Sequence, residues 1–212
     1  MTDIVVPATI YVMEMETRSA AMQLGLSQRQ VQRLAQNGRV IHRAVAGRTV
    51  VSGRSLVAVS RSAARGRRWD EQTVEAACEL LDRGSTQLIV GSQRSRLRAR
   101  LRAMTVAELA YQVLGNRATL WRSTRRDVNS GSQVADGLSS TGEGLDIKVT
   151  RDAATLARRL RLLEDADGET LLIELDTDAP AVVTDIALYA FADERTSSVA
   201  RQRIQARQAT LS

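Results

Sequence analysis

The sequence predicts a mainly α fold with small β elements, in three segments: 1–62, 63–128 and 129–212. Three observations lead there. First, apolar residues recur at helical spacing in several segments of the 212 residues, enough chain for one large domain or two to three small ones. Second, period-two stretches are short and confined to 39–51, 145–149 and 171–175. Third, charge changes along the chain. Residues 1–68 hold eleven Arg and three acids, 69–126 hold ten Arg and six acids, and 127–212 hold nine basic residues and fifteen acids. The overall charge of +6 is therefore +8, +4 and −6 in succession, and residues 17–69 contain no acid. A basic front and an acidic back suggest a part that faces nucleic acid and a different tail.

The first sixteen residues are apolar and partly β-branched, which suits an extended arm or a short strand, with Pro7 disfavouring a central strand. Residues 17–37 are the clearest helical segment. Thr17 suits an N-cap, and Ala20, Ala21 and Leu24 make one apolar face. Gly25 suits a left-handed C′ position and Ser27 the cap of a second helix, on which Val31, Leu34 and Ala35 recur before Gly38 ends it. Two short helices joined by a Gly-containing turn read as a helix-turn-helix. Residues 40–45 and 48–51 flank Ala46-Gly47, a hairpin signal. Residues 52–60 lean to strand by propensity, although a short helix capped by Ser52 or Ser55 also fits.

Residues 60–68 form a basic linker of Ser, Ala, Gly and Arg. Asp70 caps a helix over 71–83 with Val74, Ala77, Cys78 and Leu81 inward and Gly84 after it. Residues 94–104 carry Leu97, Leu101 and Met104 on one side, and 105–114 form another amphipathic helix, within a helical segment spanning 69–126. Residues 129–144 read as a Gly/Ser/Thr link. After it come a strand at 145–149, a helix over 151–163 with Leu156, Leu160 and Leu163 inward, and a strand at 171–175. Two helices follow, one opened by Pro180 and one begun by Asp193 or Glu194. One β-α-β unit with trailing helices makes a small α+β end.

The stretch from Thr17 through Leu34, then Asn37-Gly38-Arg39-Val40, the hairpin and the segment from Ser52, resembles the winged helix-turn-helix of the excisionase and MerR class over about 45 residues. That resemblance implies a second helix in the major groove, a hairpin touching phosphate, and a helix after the wing, which is followed here for 52–60. The residues agree chemically. Gln28, Arg29, Gln32, Arg33 and Gln36 are left outside by the apolar pattern, and Gln and Arg pair bidentately with adenine and guanine edges. Gln28, Arg29 and Gln32, near the helix start, are expected at the bases, with Arg33 on base or phosphate and Ser27 a further DNA-binding candidate. Arg18, Arg39, Arg43 and Arg48 are phosphate candidates, and the linker arginines Arg65, Arg67 and Arg68 are candidates for a minor groove. Aromatic residues make up only 3%, which argues against single-strand stacking platforms.

The order of a helix-turn-helix, an Arg-Gly-Arg-Arg-Trp linker, an Arg-rich helix (Arg94, Arg96, Arg98, Arg100, Arg102) and a small βαβ-like end also resembles actinobacterial antitoxin regulators of abortive-infection systems of the AbiE type. This implies a repressor of its own operon that binds double-stranded operator DNA, as a homodimer or at repeated sites, and counteracts a nucleotidyltransferase toxin. A recombination-directionality or architectural factor of a mobile element is the alternative.

Chemistry is otherwise sparse. Asp146-x-Lys148, with Asp136 and Glu143 upstream, resembles half of a restriction-type nuclease site, which implies Mg²⁺ chemistry, yet no Pro-Asp pair precedes it at useful spacing. Lys148 is the only lysine. The single cysteine, Cys78, sits on an inward helix face and excludes an internal disulfide or a Cys-rich zinc site, and the single histidine, His42, excludes His-pair metal motifs. No enzymatic activity, cofactor or metal is expected. No apolar run approaches the ~18 residues of a transmembrane helix, and Met1-Thr2-Asp3 lacks the basic start of a secretory signal, so the expected location is the cytoplasm.

Overall fold

A computed structural model describes residues 14–62, 66–124, 145–165 and 168–211. Among them the chain is mainly α-helical with two small sheets, and it divides into two compact units. One contains Met1–Leu56 and Asn116–Glu174; the other contains Val57–Gly115 and Leu175–Ser212. The apolar run at 4–12 and the link at 129–144 lie outside the described residues.

The first unit begins with strand β1 (Glu14–Glu16) and helices α1 (Thr17–Leu24) and α2 (Gln28–Gln36). Gly25 ends α1 with φ +62°, a left-handed cap that glycine adopts without a Cβ clash. Thr17 is not the N-cap: Glu16 holds that position without a side-chain bond, and Thr17 is buried as the first helical residue. Ser27 does cap α2. Its hydroxyl accepts from the Gln30 amide while the Gln30 side chain accepts from the Ser27 amide, a reciprocal capping box. Val31 and Ala35 are buried and Leu34 half-buried, as the spacing predicts.

Strands β2 (His42–Val45) and β3 (Arg48–Ser52) form the expected hairpin, and β1 adds to its far side in the antiparallel order β1-β3-β2, with Met15 and His42 both opposite Val51. Ala46 and Gly47 both have positive φ (48° and 76°), the backbone a two-residue turn of primed type requires. The segment after the hairpin is helix α3 (Gly53–Ser60), not the strand that propensity favours. Ser52 meets the Ser55 amide at its start, and the Ser55 hydroxyl accepts from the Ile41 amide, tying α3 to the hairpin.

The second sheet of this unit, in the order β5 (Asp146–Thr150), β7 (Thr170–Glu174), β4 (Ala118–Ser123), β6 (Leu162–Glu164), differs from the sequence expectation in two places. Strands β5 (Asp146–Thr150) and β7 (Thr170–Glu174) pair in parallel around α7 (Ala153–Leu160), the predicted β-α-β unit. In the chain, however, α7 is followed by strand β6 (Leu162–Glu164), at the far edge of the sheet beside β4, where the sequence predicts the helix to continue to 163. Arg161 takes a left-handed φ of 55° and stops α7 at Leu160. Leu156 packs with Ala153, Ala157 and Leu172, but Leu160 and Leu163 point outward, Leu163 being 64% exposed. Strand β4 (Ala118–Ser123) is the second difference, because the sequence predicts a helical segment through 126. β4 pairs with both β6 and β7 and buries Leu120.

The second unit is helical: α4 (Glu71–Arg83), α5 (Gly91–Ala103), α6 (Val106–Leu114), α8 (Pro180–Phe191) and α9 (Glu194–Ala209). Asp70 caps α4 and Gly84 closes it, as expected, whereas α5 starts earlier than 94. The trailing helices group with α4, α5 and α6 rather than with the strands that precede them, since α8 packs on α4, α6 and α9. The cause is the apolar surface of α8, where Val182, Val183, Ile186, Ala187 and Ala190 are all buried. Cys78 is fully buried in this core, as packing would have it.

Candidate nucleic-acid interface

Helix α2 presents Gln28, Arg29, Gln32, Arg33 and Gln36 to solvent, while its opposite face is buried. Its first turn contains no acid, so its positive dipole end is uncompensated beyond the Ser27 cap. Across from α2 stands the hairpin. The two enclose an open groove of about 330 Å³ lined by Glu16, Thr17, Gln28, Gln32, Gly47, Arg48 and Thr49. The groove therefore brings together Gln28, Gln32 and Arg48 from the expected set, and adds Glu16, Thr17, Gly47 and Thr49, which the sequence reading had not placed there.

Gln28 is not a free reader in this state. Its Nε2 donates to Thr17 Oγ1 at 3.1 Å, joining the first turns of α1 and α2. Arg29, Gln32 and Arg33 are exposed and Arg39 is half-buried. Arg18 is exposed on α1.

The two hairpin arginines are paired. Arg43 forms a bidentate pair with Glu14 through Nε and Nη2, and Arg48 Nη1 lies 2.8 Å from Glu16 Oε1. Both acids sit on β1, immediately before the acid-free run. The alternation Glu14-Met15-Glu16 is a strand signal that would have put both carboxylates on one face. An extended arm or short strand over residues 1–16 fits this alternation, but its pairing beside β3 is not written in those residues.

The linker arginines fall elsewhere. Arg65 lies outside the described residues. Arg67 is exposed in the second unit, and Arg68 lies over the Tyr111 ring at 5.5 Å. The Arg-rich helix α5 is largely spent on its own unit. Arg98 donates to the Gly84 carbonyl at 2.7 Å, Arg94 reaches the Thr86 carbonyl, and Arg100 lies over Trp69 at 5.0 Å. Arg96 and Arg102 face solvent.

Asp146 and Lys148 form an ion pair at 3.0 Å on β5. Asp136 and Glu143 lie outside the described residues, and among those described no group of three His, Cys, Asp or Glu could hold a metal. No described helix is long and apolar enough to cross a membrane. Comparison with family models, curated proteins and solved structures returns no match.

Proposed function

We propose that residues 14–60 are a winged helix-turn-helix, with α2 as recognition helix and β2–β3 as wing, and that the protein is a sequence-specific DNA-binding repressor. The observation that carries this reading is the groove between α2 and the hairpin, with Gln28 and Gln32 on one wall and Arg48 and Thr49 on the other. Amide side chains there are suited to adenine edges, and the hairpin donors to phosphate. Arg29 and Arg33 flank that face on α2 and add guanine readers. A single module of this size buries little surface, so binding as a homodimer or at repeated sites is part of the proposal.

The test is selection of duplexes from a random pool, followed by gel shift near physiological ionic strength of about 0.15 M. A preferred sequence is expected, and Arg29→Ala should relax preference at one position at a cost of about 1–3 kcal/mol. Binding without any preference overturns the specific-repressor reading. The narrower role as the antitoxin of a toxin–antitoxin pair, counteracting a nucleotidyltransferase toxin and repressing its own operon, rests on element order. Its test is a shift on the DNA upstream of its own gene, together with rescue of growth on co-expression with a neighbouring toxin gene.

A further inference from the structure

Residues 1–68 contain three acids among eleven arginines. Two of those acids, Glu14 and Glu16, are bonded to the two wing arginines. The pairing follows from register. Glu14 and Glu16 on β1 lie opposite Ser52 and Val50 of β3, and Val50 is in turn opposite Arg43 on β2. Residues facing one another across three strands share a face, so both carboxylates and both guanidiniums project on the same side of the sheet. Glu16 and Arg48 also line the groove itself.

A wing in this state carries guanidiniums of the right geometry for phosphate but no net charge from either pair. We propose that Glu14 and Glu16 are built-in competitors of the DNA backbone: the carboxylates occupy the wing arginines in the free protein, and phosphate must displace them. The inference rests on the DNA-binding reading and deepens it by naming what sets the affinity of the same surface. Arg43 and Arg48 side chains are 59% and 74% exposed, so a phosphate can reach both without unfolding anything. Two consequences follow. Affinity is lowered for every sequence alike, since phosphate carries no base information. Salt dependence is also shallower, because an arginine that trades one anion for another releases no counterion to solvent on balance. Sequence-independent binding, which is almost wholly electrostatic, is thereby held weak, leaving the base contacts of α2 to decide occupancy.

The experiment compares wild type with the Glu14→Gln/Glu16→Gln double variant on a short random-sequence duplex and on the duplex selected by wild type, across a salt series. Gln keeps the shape and an acceptor oxygen, and thermal unfolding followed by circular dichroism checks that β1 stays in place. Should the double variant lose the fold, Glu16→Gln alone, at a 53% exposed carboxylate, serves instead. An exposed ion pair such as Arg48–Glu16 changes an equilibrium by up to about fivefold, and the Arg43–Glu14 pair, exposed on the arginine side and 14% exposed at Glu14, is taken at the same size. The double variant is therefore expected to bind both duplexes up to about 25-fold more tightly, with a salt slope steeper by about 0.9 per arginine released and an unchanged base preference. Equal affinity and slope, weaker binding, or an altered base preference each overturn the inference, the last two by making Glu16 a positioning or base-reading residue. If neither protein binds either duplex at low salt, the DNA-binding reading fails as well; if wild type binds and the variant matches it, only this inference fails.

Discussion

Arg61 is a cation held among acceptors. Its side chain is 9% exposed, and its Nη1 donates to the Tyr189 and Ala192 carbonyls at the end of α8 while Nη2 pairs with Glu194 at 2.8 Å. The Tyr189 hydroxyl returns a bond to the Arg61 carbonyl. Because α8 has no basic residue in its last turn, Arg61 supplies the C-terminal donor from outside the helix. Arg61→Ala takes the guanidinium donor from the Ala192 carbonyl and leaves the Tyr189 carbonyl with the Ser197 hydroxyl alone, and should cost about 2 kcal/mol in urea unfolding, with Arg61→Lys recovering little because the fork of donors is lost. At the tip of the β2–β3 hairpin, Ala46 stands at φ 48°, a conformation that costs a residue with a Cβ about 1 kcal/mol. Ala46→Asn, which completes an Asn-Gly turn, should raise stability by about 0.5 kcal/mol by the same measurement. A destabilised Ala46→Asn would mean the turn is not of the primed type.

Helices here rely on their first residues. Asp152 caps α7 through the Thr155 amide and hydroxyl, and those bonds hold its carboxyl below the usual Asp range. For Asp193 at α9, burial pushes the pKa up, but the Thr196 amide and hydroxyl and the Arg195 amide outweigh it and the net shift is down. A carboxyl whose folded pKa is depressed stabilises above its unfolded value, about 3.8, and loses that contribution as pH falls through the lower folded value. Asp193→Ala should therefore cost about 1 kcal/mol at neutral pH. The gap from wild type should close as the solution is acidified below about 3.8, which urea unfolding at a series of pH values checks. A gap that persists in strong acid would mean the cap acts through something other than its charge. Ser27→Ala should likewise loosen α2 by about 1 kcal/mol, and amide hydrogen exchange in its first turn is the measurement.

Across the whole molecule, tertiary grouping redistributes the charge. Each unit combines a basic stretch with an acidic one. One unit holds 16 basic and 13 acidic residues and the other 14 and 11, a net +3 in each. The acids of the back half are employed locally. Asp152 and Asp193 cap helices, Asp165 pairs with Arg122, and Asp185 meets Arg203 and Arg207, which also reaches Asp82. Asp185 is almost fully buried, and that burial raises its pKa against the pull of Arg207 and Arg203. Here the linkage runs the other way from the caps. The folded state favours the protonated form, so this contribution is complete below about 3.8 and declines as pH rises through the folded value. Asp185→Asn should remove that decline, gaining on wild type as pH rises from about 3.8, as followed by urea unfolding at several pH values. An unchanged pH profile would show that the two arginines cancel the burial.

By itself the sequence determined the local elements from Gly25 to the hairpin turn at Gly47. The Gly25 and Ser27 signals, the Val31/Leu34/Ala35 spacing and the Ala46-Gly47 turn are short-range physics, and each appears where the residues require it. The cap at Asp70, the stop at Gly84 and the Pro180 helix start were legible for the same reason. What only the tertiary structure decided lies at long range. β4 is a strand because β6 and β7 flank it and bury Leu120, although its own six residues are equally compatible with a neighbouring helix. α7 stops at Leu160 because Arg161 turns left-handed, which no glycine announced. α8 and α9 leave the strands before them because their apolar faces fit α4 and α6. The candidate site divides in the same way. The exposed Gln and Arg of α2 follow from helical period alone, but the pairing of Arg43 and Arg48 with Glu14 and Glu16 depends on β1 lying beside β3, a register set by hydrogen bonds between residues more than thirty positions apart.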